Sequence, residues 1–198
     1  MENNWLDLSS LFGLIATCVL TFNLLLGILL STAYRRSPVW KRMTPLLKKI
    51  SLDDWHNWTA YVAIALVLAH IILLLPDVSL KYRVVDILWP VNAPHQVFWT
   101  ILGALAFYAL VVVIITTQKK IKNRLGFRVW KNIHLVSYGT ALLFVIHGVV
   151  MDPLLKDRPV DWFDAEKMVS ELCGLALVAA TITRYRYHRR KQQPDFNQ

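Results

Sequence analysis

The chain has 198 residues, 56% of them hydrophobic, and a formal net charge of +9. The length suits one domain, but the apolar residues are gathered into long runs between short charged loops, which excludes an ordinary soluble fold. The basic residues are confined to the loops and tail between those runs, so the charge does not make a nucleic-acid binder either.

A bilayer core takes about 20 apolar residues per helix, and five stretches approach that length. The first is Leu11–Ala33. Glu2 and Asp7 precede it and its apolar run exceeds that of a signal peptide, so it is expected to persist as a helix. Ser51 to Asp54 reads as a capping pattern before the second span, Trp55–Leu75, which Pro76 ends. Pro90 and Pro94 break the following segment, Val84–Pro94, into a short interfacial helix or re-entrant turn. The third span is Val97–Thr117. The fourth is Ile133–Met151, with Asp152-Pro153 as its stop. The fifth, Met168–Thr183, is the shortest and carries Glu171. The expected fold is an all-α integral membrane protein, a bundle of about five transmembrane helices forming one domain over residues 1–198.

Charge gives this bundle a direction. The loop after the first span holds six basic residues (Arg35, Arg36, Lys41, Arg42, Lys48, Lys49). The loop after the third holds six more (Lys119, Lys120, Lys122, Arg124, Arg128, Lys131), and the tail holds five (Arg184, Arg186, Arg189, Arg190, Lys191). All three lie on one side if the helices alternate, and Asp53, Asp54 and Asp195 are the acids there. The positive-inside rule then puts the N-terminus outside and the C-terminus in the cytoplasm. A bacterial inner (plasma) membrane is the expected location, with anionic lipid touching the basic loops.

Trp5, Trp40, Trp55, Trp89, Trp99, Trp130 and Trp162 fall near the expected interfaces, where amphipathic rings settle. Cys18 and Cys173 fall inside spans without a close cysteine neighbour in sequence, and are read as small hydrophobes with no role. C-x-x-C-H is absent, so c-type haem attachment is not expected. Neither G-x-G-x-x-G nor a phosphate-binding loop occurs, so any nicotinamide or flavin chemistry is expected from a partner.

Four histidines stand out. His56 and His70 lie fourteen residues apart on the second span, and His134 and His147 thirteen apart on the fourth. These spans run in the same direction, so His56 and His134 share a cytoplasmic level and His70 and His147 an outer one. The levels are roughly 20 Å apart at about 1.5 Å rise per residue. A single histidine on an apolar helix is ordinarily a packing contact, but ionisable groups inside a membrane are costly and mark function. Zinc asks for three or four protein ligands, more than a level offers. A haem iron needs only two axial ligands, so the reading is two b-type haems, one at each level, suited to electron transfer. One tension is geometric. Fourteen residues return to the same helical face short by about 40°, thirteen by about 140°. Either the fourth helix over-winds, near Gly139, or the two haem planes are offset around it.

The histidine spacing, together with the lead-in Arg128-Val129-Trp130-Lys131-Asn132-Ile133-His134, resembles the ferric reductase-like transmembrane domain family, which includes the NADPH oxidases and MsrQ-type haem subunits. The resemblance spans roughly the second to fifth helices and implies that His56–His134 and His70–His147 are the inner and outer haem ligand pairs. Family members often have six helices, and NADPH oxidases continue into a flavin and nicotinamide domain.

Lesser candidates follow. Lys131 and Arg128 could meet the inner haem propionates, and Lys81, Arg83, Lys156 and Arg158 the outer ones. Tyr138, Trp58, Tyr61 and Phe144 could line the haems or simply pack. His95 could meet an acceptor, and His188 belongs to the basic tail. The leading function is a di-haem b electron-transfer subunit. It would carry electrons from a cytoplasmic reductase or a quinol, with flavin or quinone held by that partner, to an acceptor protein, ferric iron, quinone or oxygen on the outer face. The alternatives are a quinol-oxidising cytochrome b anchor of a larger complex, and a haem-free histidine proton pathway or assembly factor.

Overall fold

The computed structural model describes residues 5–32, 34, 38–42, 49, 51–155 and 165–192. Over them the chain forms α1 (Trp5–Ser31), α2 (Pro38–Arg42), α3 (Leu52–Leu73), α4 (Val84–Leu88), a 3-10 turn (Pro90–Asn92), α5 (Val97–Thr117), α6 (Lys119–Leu155) and α7 (Ala165–Gln192). α1, α3, α5, α6 and α7 are each long and apolar enough to cross a membrane. Large apolar side chains such as Phe98, Leu172 and Leu175 face outward from the bundle, as they do where lipid rather than water is the outer solvent.

The expected starts and stops hold where a local signal sets them. Ser51 caps α3, its hydroxyl accepting the Asp54 amide at 3.3 Å. α3 stops at Leu73, before Pro76. The Val84–Pro94 segment is a short helix followed by the proline-led 3-10 turn.

Three expectations change. The basic stretch after α5 is not a loop but the first turns of α6, broken at Gly126, whose φ of 73° is left-handed and suits a residue without a β-carbon. The basic tail likewise continues α7 as far as Gln192. Lys, Arg, Gln and Leu are good helix formers in water; hydropathy marks where the apolar slab ends, not where the hydrogen-bonded backbone does. At the other end Pro153 lies within α6, which runs on to Leu155 rather than stopping at Asp152-Pro153. Proline removes one backbone bond and disturbs the turn before it, a cost that near the C-terminus leaves the rest of the helix intact.

α1 is the organising helix. It packs against α3, α7 and α6; α5 packs on α6, and α6 on α7. The helices bearing the histidines, α3 and α6, scarcely touch one another. α1, α3 and α6 meet α5 in a central layer of Ala16, Leu20, Ala63, Val67, Ala106, Leu110 and Phe144, at mid-depth between the two histidine levels. A second layer joins α1, α6 and α7 through Leu24, Ile28, Ala141, Val145 and Leu177. Beside it Cys18 Sγ and Cys173 Sγ lie 4.0 Å apart as free thiols. A contact spanning 155 positions leaves no mark on local sequence, which is why each cysteine reads as solitary there.

The segment joining α3 to α5 is pinned by polar bonds. Tyr82 Oη donates to the His95 carbonyl at 3.2 Å and Tyr108 Oη to the Leu88 carbonyl at 2.6 Å. Arg83 grips Asp86 with two bonds of 3.0 Å and its own amide adds a third. The guanidinium holds the Asp86 carboxyl below its ordinary value of 3.8. A depressed carboxylate contributes stability that is complete above the ordinary value and is lost as pH falls through the lowered one. Acidification is therefore expected to loosen Val84–Leu88 before the bundle opens. Amide exchange of that turn in wild type and Asp86→Asn checks it: the variant should exchange faster near neutrality and lose the acid dependence.

Candidate functional site

The site is two pairs of imidazoles. His56 and His134 have ring centroids 6.0 Å apart at an interplanar angle of 77°. His70 and His147 lie 6.4 Å apart at 84°. The pairing confirms that α3 and α6 run in the same direction.

Each ring's tautomer follows from what it touches. His70 Nδ1 lies 2.8 Å from the Ser9 carbonyl and 3.0 Å from its hydroxyl. His56 Nδ1 is 3.0 Å from the Asn23 carbonyl, and His147 Nδ1 is 3.0 Å from that of Trp99. A carbonyl only accepts, so in all three rings Nδ1 carries the proton and the Nε2 lone pair is left for a ligand. The hold is reciprocal on α1: Ser9 Oγ donates to the His70 carbonyl at 2.9 Å, and Asn23 Nδ2 donates to the carbonyl of His56.

Glycine makes the close approach possible. A β-carbon on Gly13 would stand 3.0 Å from His70 Nδ1, one on Gly27 3.1 Å from His56 Cε1, and one on Gly103 2.7 Å from His147 Cε1. In each case the glycine follows the accepting carbonyl by four residues, one turn along the same helix face. Ser9/Gly13 and Asn23/Gly27 are fourteen apart, the spacing of His70 and His56, so α1 lies antiparallel to α3 with one dock per level.

His134 differs. Its Nδ1 is buried without a hydrogen-bond partner, as is the indole Nε1 of Trp130. The two rings stack, 5.3 Å apart and inclined by 21°. Lys122 Nζ sits 3.8 Å from the Trp130 ring centre. One turn beyond His134, Tyr138 Oη accepts from Arg184 of α7.

The 13-residue spacing resolves without any irregularity at Gly139. The only non-helical backbone inside α6 is at Gly126, and Gly139 has open space around it. The roughly 140° offset between His134 and His147 therefore persists, and the two rings reach toward α3 from different sides of α6.

The donor set fits a haem. A metal–imidazole bond of about 2 Å on each side, plus about 1 Å from ring nitrogen to ring centre, puts two axial imidazoles roughly 6 Å apart by their centroids. Among the described residues no three His, Cys, Asp or Glu converge as a zinc centre would require.

The family model described as ferric reductase like transmembrane component matches residues 12–145. The chain belongs to that family. Neither a curated protein nor a solved structure gives a match. The region matched by the ferric reductase-like family covers His56, His70 and His134 and ends two residues before His147; Ser9 lies just ahead of it.

The lesser candidates disperse. Arg128 and Lys131 are exposed, and the cations beside the His56/His134 pair are instead Lys122 and Arg184. Arg83 is committed to Asp86, Lys81 is exposed with a φ of 55°, and Lys156 and Arg158 lie outside the described residues. Trp58 faces outward, Tyr61 is bonded to Gln118, and Phe144 packs in the central layer. His95 is exposed, with its ring tilted against Tyr82, and His188 is exposed in α7. A backbone carbonyl has no sequence signature, so the acceptors Ser9, Asn23 and Trp99 escape a sequence reading; the paired glycines on α1 are the trace they leave.

Proposed function

We propose that this chain is a di-haem b electron-transfer subunit, with His56 and His134 holding one haem and His70 and His147 the other. The observation that carries the reading is the pair of imidazole couples, 6.0 Å and 6.4 Å across, three of whose four rings have Nδ1 tied to a backbone carbonyl. When bound, each haem would supply a one-electron couple suited to outer-sphere transfer. The chain's own part is positional. The carbonyls of Ser9, Asn23 and Trp99 fix tautomer and orientation and raise ligand basicity; Ala63, Val67, Ala106, Leu110 and Phe144 keep water out between the levels. Lys122 and Arg184 offer positive charge to the inner carboxylates, ahead of Arg128 and Lys131.

We read the His56/His134 level as cytoplasmic and the N-terminus as outside, a reading the positive-inside pattern of the basic residues supports. Electrons would enter there from a reductase or a membrane quinol and leave toward an outer-face acceptor, favoured by about 2.3 kcal/mol per 100 mV for a full crossing. Purified protein is expected to contain about two haem b per chain, extractable by acidified acetone. Protein made with ample haem that shows no Soret band defeats the reading.

A further inference from the structure

Three of the four imidazoles are oriented by a carbonyl with a glycine four residues on; His134 is not. His134 lies about 140° around α6 from the side that meets Trp99 and Gly103, and its buried Nδ1 is left without a partner. A ring ligated through Nε2 alone, with nothing bonded to Nδ1, can swing about that bond. The group that blocks the swing is the indole of Trp130, lying 5.3 Å away and nearly parallel, with Lys122 Nζ 3.8 Å from the indole centre.

We propose that Trp130 is the positioning residue of the His56/His134 level: its indole fixes the plane of the His134 imidazole by stacking, in place of the carbonyl bond the other three histidines use. The inference rests on the haem reading above. The ring plane of an axial imidazole sets the splitting of the iron orbitals, so the two haems differ in their ligand fields, and only the inner one depends on an aromatic ring.

The test compares Trp130→Leu, Trp130→Phe and wild type, as full-length protein in detergent or nanodiscs, by low-temperature electron paramagnetic resonance and redox titration. In Trp130→Leu one low-spin ferric signal should shift or broaden, the midpoint potential of the same haem should move, and its retention should fall about tenfold, the usual scale for losing a group that orients a metal ligand. The other haem should keep its signal and potential. Trp130→Phe, which keeps a flat ring, should restore most of the wild-type behaviour. Unchanged signals and potentials in Trp130→Leu overturn the proposal, as does equal disturbance of both haems or a failure of phenylalanine to rescue. Wild-type protein with no haem at all instead defeats the underlying reading, so the two failures are separable.

Discussion

Replacing His70 or His147 with alanine is expected to delete the same haem, leaving about one per chain with an unaltered spectrum. His56→Ala and His134→Ala should delete the other. A bis-imidazole site that loses one ligand would keep a coordination bond on one side only, and among the described residues no third His, Cys, Asp or Glu joins either pair to replace it. The effect should be a loss of occupancy rather than a graded weakening. The pairing follows from the centroid distances of 6.4 Å and 6.0 Å within levels. Haem counts and absorption spectra of the four variants, with wild type alongside, check it. If His56→Ala and His147→Ala gave the same residual spectrum, the level assignment would be wrong.

Nearly as large an effect is expected from one methyl group. In Gly103→Ala the new β-carbon would lie 2.7 Å from His147 Cε1 and 2.8 Å from Nδ1. Such contacts are repulsive, and the ring they push is tethered to the Trp99 carbonyl, so it must give up either that bond or its orientation. Retention of the His70/His147 haem should fall about tenfold or more. Gly13→Ala and Gly27→Ala, with contacts of 3.0 Å and 3.1 Å, should be milder. Gly139→Ala meets nothing within 4 Å and should be neutral or stabilising by up to about 1 kcal/mol. Haem retention during slow detergent dialysis ranks the four, and a Gly103→Ala protein that holds both haems as wild type does defeats the cradle.

Much of this arrangement can be read from the chain alone, because strong local signals set it. Long apolar runs require spanning helices whatever their neighbours do, Ser51 and Pro76 bound α3 by local hydrogen-bond chemistry, and two equally deep histidines on parallel helices can hardly avoid meeting. What stayed hidden depends on neighbours. Lys122 and Lys131 are alike in a charge count, yet the break at Gly126 returns Lys122 to Trp130 while Lys131 stays exposed. Arg184 reads as tail and proves to be held by Tyr138 because α7 continues past its apolar part. The 13-residue spacing leaves open an over-wound α6 or an offset around it, and the helix, regular between His134 and His147, takes the second course. Gly13 and Gly27 repeat the histidine interval and could have signalled the docks on α1; their meaning depends on knowing that α1 lies against α3.

That α3 and α6 scarcely touch bears on how the protein is made. α1 with α3, and α5 with α6, each form an antiparallel hairpin that can enter the bilayer as a finished unit, with His56, His70 and His147 already docked on carbonyls and His134 stacked on Trp130. Each hairpin holds half of both levels, and neither holds a complete one. Direct adhesion between the halves comes from the central apolar layer, the contacts α1 makes with α6 and the Tyr61–Gln118 bond, so a group bridging the facing imidazoles would also fasten the hairpins together. Maturation would then have an order: both hairpins would have to be inserted before either bridge could close.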